Sequence, residues 1–99
     1  MIRPVHLRMA RAALGWSVKE LASKANVHAN TVARYEAGFQ AMSGTVESIE
    51  AVLLNEGIVF LDEDAALGLG VRLRKQLVLG LPENRVHANR VKAKSTRKK

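Results

Sequence analysis

Apolar residues recur along the first half of this chain at helical spacing. Leu7, Ala10 and Leu14 form one stripe, preceded by Pro4 and followed by Gly15, and predict a helix from Pro4 or Val5 to Leu14. Leu21 and Ala25 lie four apart, and Ser17 followed by Glu20 is a capping box, so a second helix is expected over Val18–Ala25. Val32 and Tyr35 lie three apart and place a third helix over Ala29–Ala37, closed by Gly38. Residues 39–44 read as a loop. Val46, Ile49, Val52 and Leu53 alternate with Glu47, Glu50 and Glu56 in a fourth helix, Thr45–Asn55, with Gly57 beyond its end. The period then changes. Ile58–Leu61 is β-rich, DEDAALGLG is turn-forming, and Val71–Arg74 alternates apolar with basic. A two-stranded hairpin, 58–61 against 70–74, is expected to lean on the helices or on a second subunit, because a lone hairpin is marginal in water. Residues 76–81, QLVLGL, suit a third strand, a dimer contact or a linker. From Glu83 the periodicity is lost, and the tail is expected to be disordered when free.

The second and third helices are separated by a single sharp turn at Asn26, one of the few non-glycine residues that enters the left-handed region. Ala22 is small where two steeply crossing helices leave little room. These are the requirements of a helix-turn-helix unit, whose second helix can lie in a DNA major groove.

Five segments carry a resemblance to a known family: LRMARAAL (Leu7–Leu14), GWS (Gly15–Ser17), KELA (Lys19–Ala22), the turn Asn26–Val27 and TVARYEAG (Thr31–Gly38). They resemble the Cro and phage-repressor type of helix-turn-helix, the XRE-like family of bacterial and phage regulators. The stretches IVFLDE and LGVRLRK also resemble the strands of a hairpin found in many relatives. The likeness spans roughly residues 5–74. Two positions depart from it. Asn26 stands where most members have Gly, and His28 stands where most have the better helix caps Ser or Thr. The implied fold is mainly α, a compact four-helix repressor-type domain with a C-terminal β-hairpin and a basic tail. The expected division is 1–57 for DNA binding, 58–82 for dimerisation and 83–99 for the tail.

Charge sharpens this picture. The net charge is +7, and seven basic residues with no acid run from Arg85 to Lys99. The rest of the chain balances. Within it, residues 1–40 carry Arg3, Arg8, Arg11, Lys19, Lys24 and Arg34 against Glu20 and Glu36, whereas residues 41–70 carry six acids and no base. One end of the domain should attract phosphate and the other repel it. Ninety-nine residues make one small domain with a tail. Such a modest core gains from dimerisation. With no cysteine there is neither a disulfide framework nor a Cys-based zinc site. No apolar run suits a membrane span, and the Arg-bearing N-terminus lacks the apolar segment of a signal peptide, so the cytoplasm is the expected compartment.

The resemblance implies that the start of the third helix faces the major groove, which makes His28, Ala29, Asn30 and Arg34 the base-reading residues. Asn suits adenine, Arg suits guanine, and an Ala methyl suits thymine. The bland alternative is an ordinary solvated helix face, with His28 capping the helix or touching phosphate. Expected phosphate contacts are Ser17 and the Val18 amide at a helix N-terminus, with Lys19, Thr31, Gln40 and Arg11. Relatives also pair an Arg in the first helix with the Glu ending the third, here Arg11 and Glu36, to hold the reading helix at its angle. The apolar hairpin positions Ile58, Phe60, Val71 and Leu73 are the candidate dimer contacts. Trp16 and Tyr35 read as core or junction aromatics. No cofactor is implied. His6, His28 and His87 have no metal-ligand spacing, and no nucleophile has a placed base. The expected function is a DNA-binding transcriptional regulator acting as a homodimer, and not an enzyme. The alternatives on the same fold are an antitoxin with a small protein partner met by the acidic stretch, and a protein-binding antiactivator. An RNA-binding role would rest on the tail alone.

Overall fold

The computed structural model describes residues 2–81. The chain runs α1 (Pro4–Leu14), α2 (Val18–Ala25), α3 (Ala29–Glu36), α4 (Ser43–Glu56), β1 (Ile58–Leu61), β2 (Gly70–Leu73) and α5 (Lys75–Gly80). The expected basic tail lies outside the described residues.

Three helix ends are closed by one device, a left-handed residue followed by two backbone bonds that turn the chain back. Gly15 at φ 71° ends α1, Asn26 at φ 58° ends α2, and Gly38 at φ 100° follows α3. At the first two, Trp16 N–H reaches Arg11 O at 3.0 Å and Val27 N–H reaches Ala22 O at 3.0 Å. Helix α3 stops at Glu36, one residue earlier than its apolar pattern suggests, because Ala37 already serves as its cap. Helix α4 begins two residues earlier than expected. Met42 is its extended N-cap, and Val46 N–H bonds Met42 O at 3.1 Å, so Ser43 and Gly44 join the first turn.

Ile2, Leu7, Ala10, Leu21, Ala22, Ala25, Val32, Val46, Ile49, Leu53 and Ile58 form one buried cluster. Trp16, Tyr35 and Val52 pack half-buried against it. Tyr35 O–H donates to Ile2 O at 2.6 Å, which pins the start of the chain to α3.

Strands β1 and β2 pair antiparallel, with Ile58 opposite Leu73 and Phe60 opposite Val71. Those four side chains share one face, and that face packs on the core. Ile58 is completely buried in its own chain. Its expected part in a dimer contact is therefore withdrawn, since it has no surface to offer. Phe60, Val71 and Leu73 are half-buried on the same core. Asp64 closes the turn, its Oδ1 accepting Ala66 N–H at 2.8 Å and Leu67 N–H at 2.7 Å. These bonds pull its carboxyl below the ordinary value.

Residues 76–81 are not a third strand. Arg74 N–H donates to Gly57 O at 2.9 Å just past the ladder, and the chain turns into α5. Leu77 and Val78 are its half-buried residues. In a strand the two would point to opposite faces; on the helix Leu77 packs against the core and Val78 is half-buried beside it.

One buried polar residue was not anticipated. His6 is 1% exposed. Its Nδ1 accepts Arg3 N–H at 3.1 Å, so Nε2 carries the proton and donates to Leu61 O at 2.9 Å. The ring meets Phe60 edge-on at 5.3 Å. Helix α1 is thereby tied to β1.

Candidate nucleic-acid interface

Helix α2 starts on Ser17, whose Oγ accepts Glu20 N–H at 3.0 Å while Glu20 Oε1 accepts Ser17 N–H at 2.7 Å. The anticipated capping box is thus complete. It also means that the Ser17 amide is already bonded. The Val18 amide, first in the helix, has no preceding helical carbonyl to bond, and Lys19 beside it is exposed.

Asn26 then aims α3 across α2. His28 is the N-cap of α3, but its imidazole makes no capping bond and stays exposed. The capping alternative for His28 therefore falls away. Asn30 and Arg34 lie four apart and both are exposed, which puts an amide and a guanidinium on one outward face. Ala29 and Thr31 flank them half-buried. Val32 and Glu36 face inward. A cleft of about 270 Å³ opens beside this face, between α3 and the start of α4, lined by Thr31, Arg34, Gln40, Ala41, Met42 and Thr45. Three residues expected at DNA are thus gathered at one cleft: Thr31, Arg34 and Gln40.

The far end of α3 is held by α1. Arg11 Nε donates to Glu36 Oε2 at 2.6 Å, and Arg11 Nη2 donates to Glu36 Oε1 at 2.8 Å. Arg11 Nη1 donates to Trp16 O at 2.9 Å. The hydrogen bonds to Glu36 raise the guanidinium above its already high ordinary value; burial opposes them, and the charge of Glu36 adds to them. All three of these nitrogens serve the fold, so the geometry places Arg11 as the structural partner of Glu36. Arg8, three residues earlier on the same face of α1, donates from Nη1 to the Glu36 backbone carbonyl. That bond was missed in the sequence. Its only signal was an Arg spaced to share the Arg11 face, and a cation is well placed at a helix C-terminus.

Residues 7–53 match the helix-turn-helix family model. They form an XRE-like helix-turn-helix domain. The match supports DNA binding of the transcription-regulator kind for this segment. No curated protein matches the chain. The family match covers α1 through most of α4 and so contains the α2–α3 unit, the Arg11–Glu36 pair and the cleft. The hairpin and α5 follow the matched helix-turn-helix segment. Among the described residues, no helix is long and apolar enough to cross a membrane.

Proposed function

We propose that this helix-turn-helix protein is a sequence-specific transcriptional repressor or autoregulator that binds a palindromic operator as a homodimer. The observation that carries the reading is the exposed pair Asn30 and Arg34 on a helix whose other face is locked into the core by Val32 and Glu36. A rigidly mounted helix with an amide and a guanidinium aimed outward suits adenine and guanine edges in the major groove. His28 and Ala29 extend the reading face. The Val18 amide, Ser17, Lys19, Thr31 and Gln40 are assigned to flanking phosphates, with any role for Arg11 secondary to its bond with Glu36. One reading helix covers few base pairs, so useful affinity needs two copies about 34–36 Å apart. The division into a 1–57 reader and a 58–82 pairing segment belongs to this proposal. On the hairpin side the outward apolar residues are Leu61, Leu67 and Leu79, at 40%, 70% and 69% exposure, and these replace Ile58 as pairing candidates.

The test is a binding titration on the intergenic DNA upstream of the protein's own gene, at about 150 mM salt, where electrostatic binding is weakened but not abolished. The Asn30→Ala, Arg34→Ala double variant is run alongside, with sedimentation equilibrium for the free protein. One palindromic site, bound tightly by a dimer and lost in the double variant, is the expected outcome. Binding that ignores both sequence and the double substitution overturns the proposal.

A further inference from the structure

Two arginines at this interface are held in opposite ways. Each guanidinium nitrogen of Arg11 is bonded to Glu36 or Trp16. The side chain of Arg34 makes no hydrogen bond or ion pair among the described residues. Its Cζ instead lies 4.4 Å from the centre of the Phe39 ring. A cation–π contact engages the charge and leaves the N–H donors open to a further acceptor.

The ring is brought there by the way α3 ends. Gly38 at φ 100° sends the chain back, Gly38 N–H bonds Tyr35 O at 3.0 Å and Phe39 N–H bonds Arg34 O at 3.0 Å. In this motif the residue after the left-handed position ordinarily makes an apolar contact with the residue whose carbonyl its amide takes. At the ends of α1 and α2 that place is filled by Trp16 and Val27, both half-buried against the core. Phe39 fills it at the end of α3 yet remains 53% exposed. So large an apolar ring left in water does little for the core. Among the described residues, its one specific partner is the arginine on the reading face.

We propose that Phe39 is a positioning residue for sequence readout. It holds Arg34 before DNA arrives, with the guanidinium donors free for the O6 and N7 acceptors of one guanine. The inference rests on Arg34 reading a base. An unheld arginine samples many rotamers, and fixing it beforehand reduces the ordering that binding must supply. Phe39 therefore acts on specificity at a base it does not itself read.

The experiment selects bound sequences from a randomised duplex library using the full-length protein and its Arg34→Ala, Phe39→Leu and Phe39→Trp variants, all at one salt concentration. Phe39→Leu keeps an apolar side chain at an exposed position, and thermal unfolding confirms that its fold is retained. The expected result is that Phe39→Leu relaxes guanine preference by roughly 3- to 10-fold at the one position that Arg34→Ala also relaxes, while other positions keep theirs. Phe39→Trp keeps the wild-type preference, since Trp offers the strongest cation–π partner. Wild-type preference in Phe39→Leu, or an even loss across all positions, overturns the inference while leaving Arg34 as a reader. If Arg34→Ala relaxes no position, the reading of Arg34 fails and the inference fails with it.

Discussion

Removing the guanidinium of Arg11 is expected to cost more than removing the carboxylate of Glu36: both changes break the two bonds between them, and Arg11→Ala also breaks the bond to Trp16 O. Exposed ion pairs contribute about 0–1 kcal/mol, and breaking a buried pair costs about 3–5 kcal/mol. Here the Glu36 side chain is 9% exposed and that of Arg11 is 22% exposed. Arg11→Ala strands the more buried member, a carboxylate with no other side-chain donor among the described residues. A loss of about 3 kcal/mol is expected, near the lower limit for a buried pair. Glu36→Ala strands the more exposed member, which keeps its bond to Trp16 O and can turn toward water, so about 1.5–2 kcal/mol is expected. The double variant leaves neither charge stranded. It should cost about 2–3 kcal/mol, which makes the coupling close to 2 kcal/mol. Urea unfolding followed by far-ultraviolet circular dichroism reads all three values. The corresponding thermal midpoints fall by about 4–8 °C per kcal/mol for a domain of this size. Additive losses, or a larger loss for Glu36→Ala than for Arg11→Ala, would refute the desolvation argument.

Asn26 and Gly57 test two different uses of left-handed backbone. Asn26→Gly should leave the thermal midpoint nearly unchanged, whereas Asn26→Ala should destabilise by about 1 kcal/mol. Gly57→Ala adds a clash to that strain, because a Cβ there would lie 3.1 Å from Leu77 Cβ; about 2–4 kcal/mol is expected, read by urea unfolding. The Tyr35 phenol is raised above its ordinary value of 10.0, first by burial and then by Glu50, with Arg3 opposing. The folded state then holds that proton more tightly than the unfolded chain. Its contribution is complete below pH 10.0 and is lost as pH rises through the raised value. Tyr35→Phe should cost about 1 kcal/mol at neutral pH by orphaning Ile2 O, and its stability should fall less between neutral and alkaline pH than that of the wild type. Removing residues 83–99 takes away seven basic residues; the log–log salt slope of DNA binding should flatten by about 0.9 for each phosphate the shortened protein no longer neutralises, with sequence preference intact.

The helices were legible because each signal was local. Leu7, Ala10 and Leu14 mark a face, Ser17 with Glu20 marks a start, and Gly15, Asn26 and Gly38 mark turns that few other residues tolerate. The Arg11–Glu36 pair was found through family likeness alone, since nothing in the spacing of residues 25 apart reveals that they touch. What escaped was long-range or directional. His6 was invisible as a link, because its partner carbonyl lies 55 residues away and belongs to the backbone. Periodicity marked the apolar face of the hairpin, but it could not say whether that face meets its own helices or another chain. Only the burial of Ile58 shows that its side chain is spent on its own helices. The sequence places Phe39 in a loop, because its contact with Arg34 depends on the return turn after Gly38, a matter of geometry that no apolar pattern encodes.

Helix α1 is gripped at both ends, by Leu61 through His6 and by Glu36 through Arg8 and Arg11. That arrangement governs how long α3 survives between openings. With eight residues, α3 is too short to persist alone in water, so its lifetime is borrowed from its supports. To fray, it must shed Glu36 from α1, and α1 in turn is fastened to the strand that follows α4. Backbone amides in α1, α3 and β1 should therefore exchange with deuterium at closely similar rates, as one cooperative unit. The surface proposed to meet DNA then has no private route to disorder.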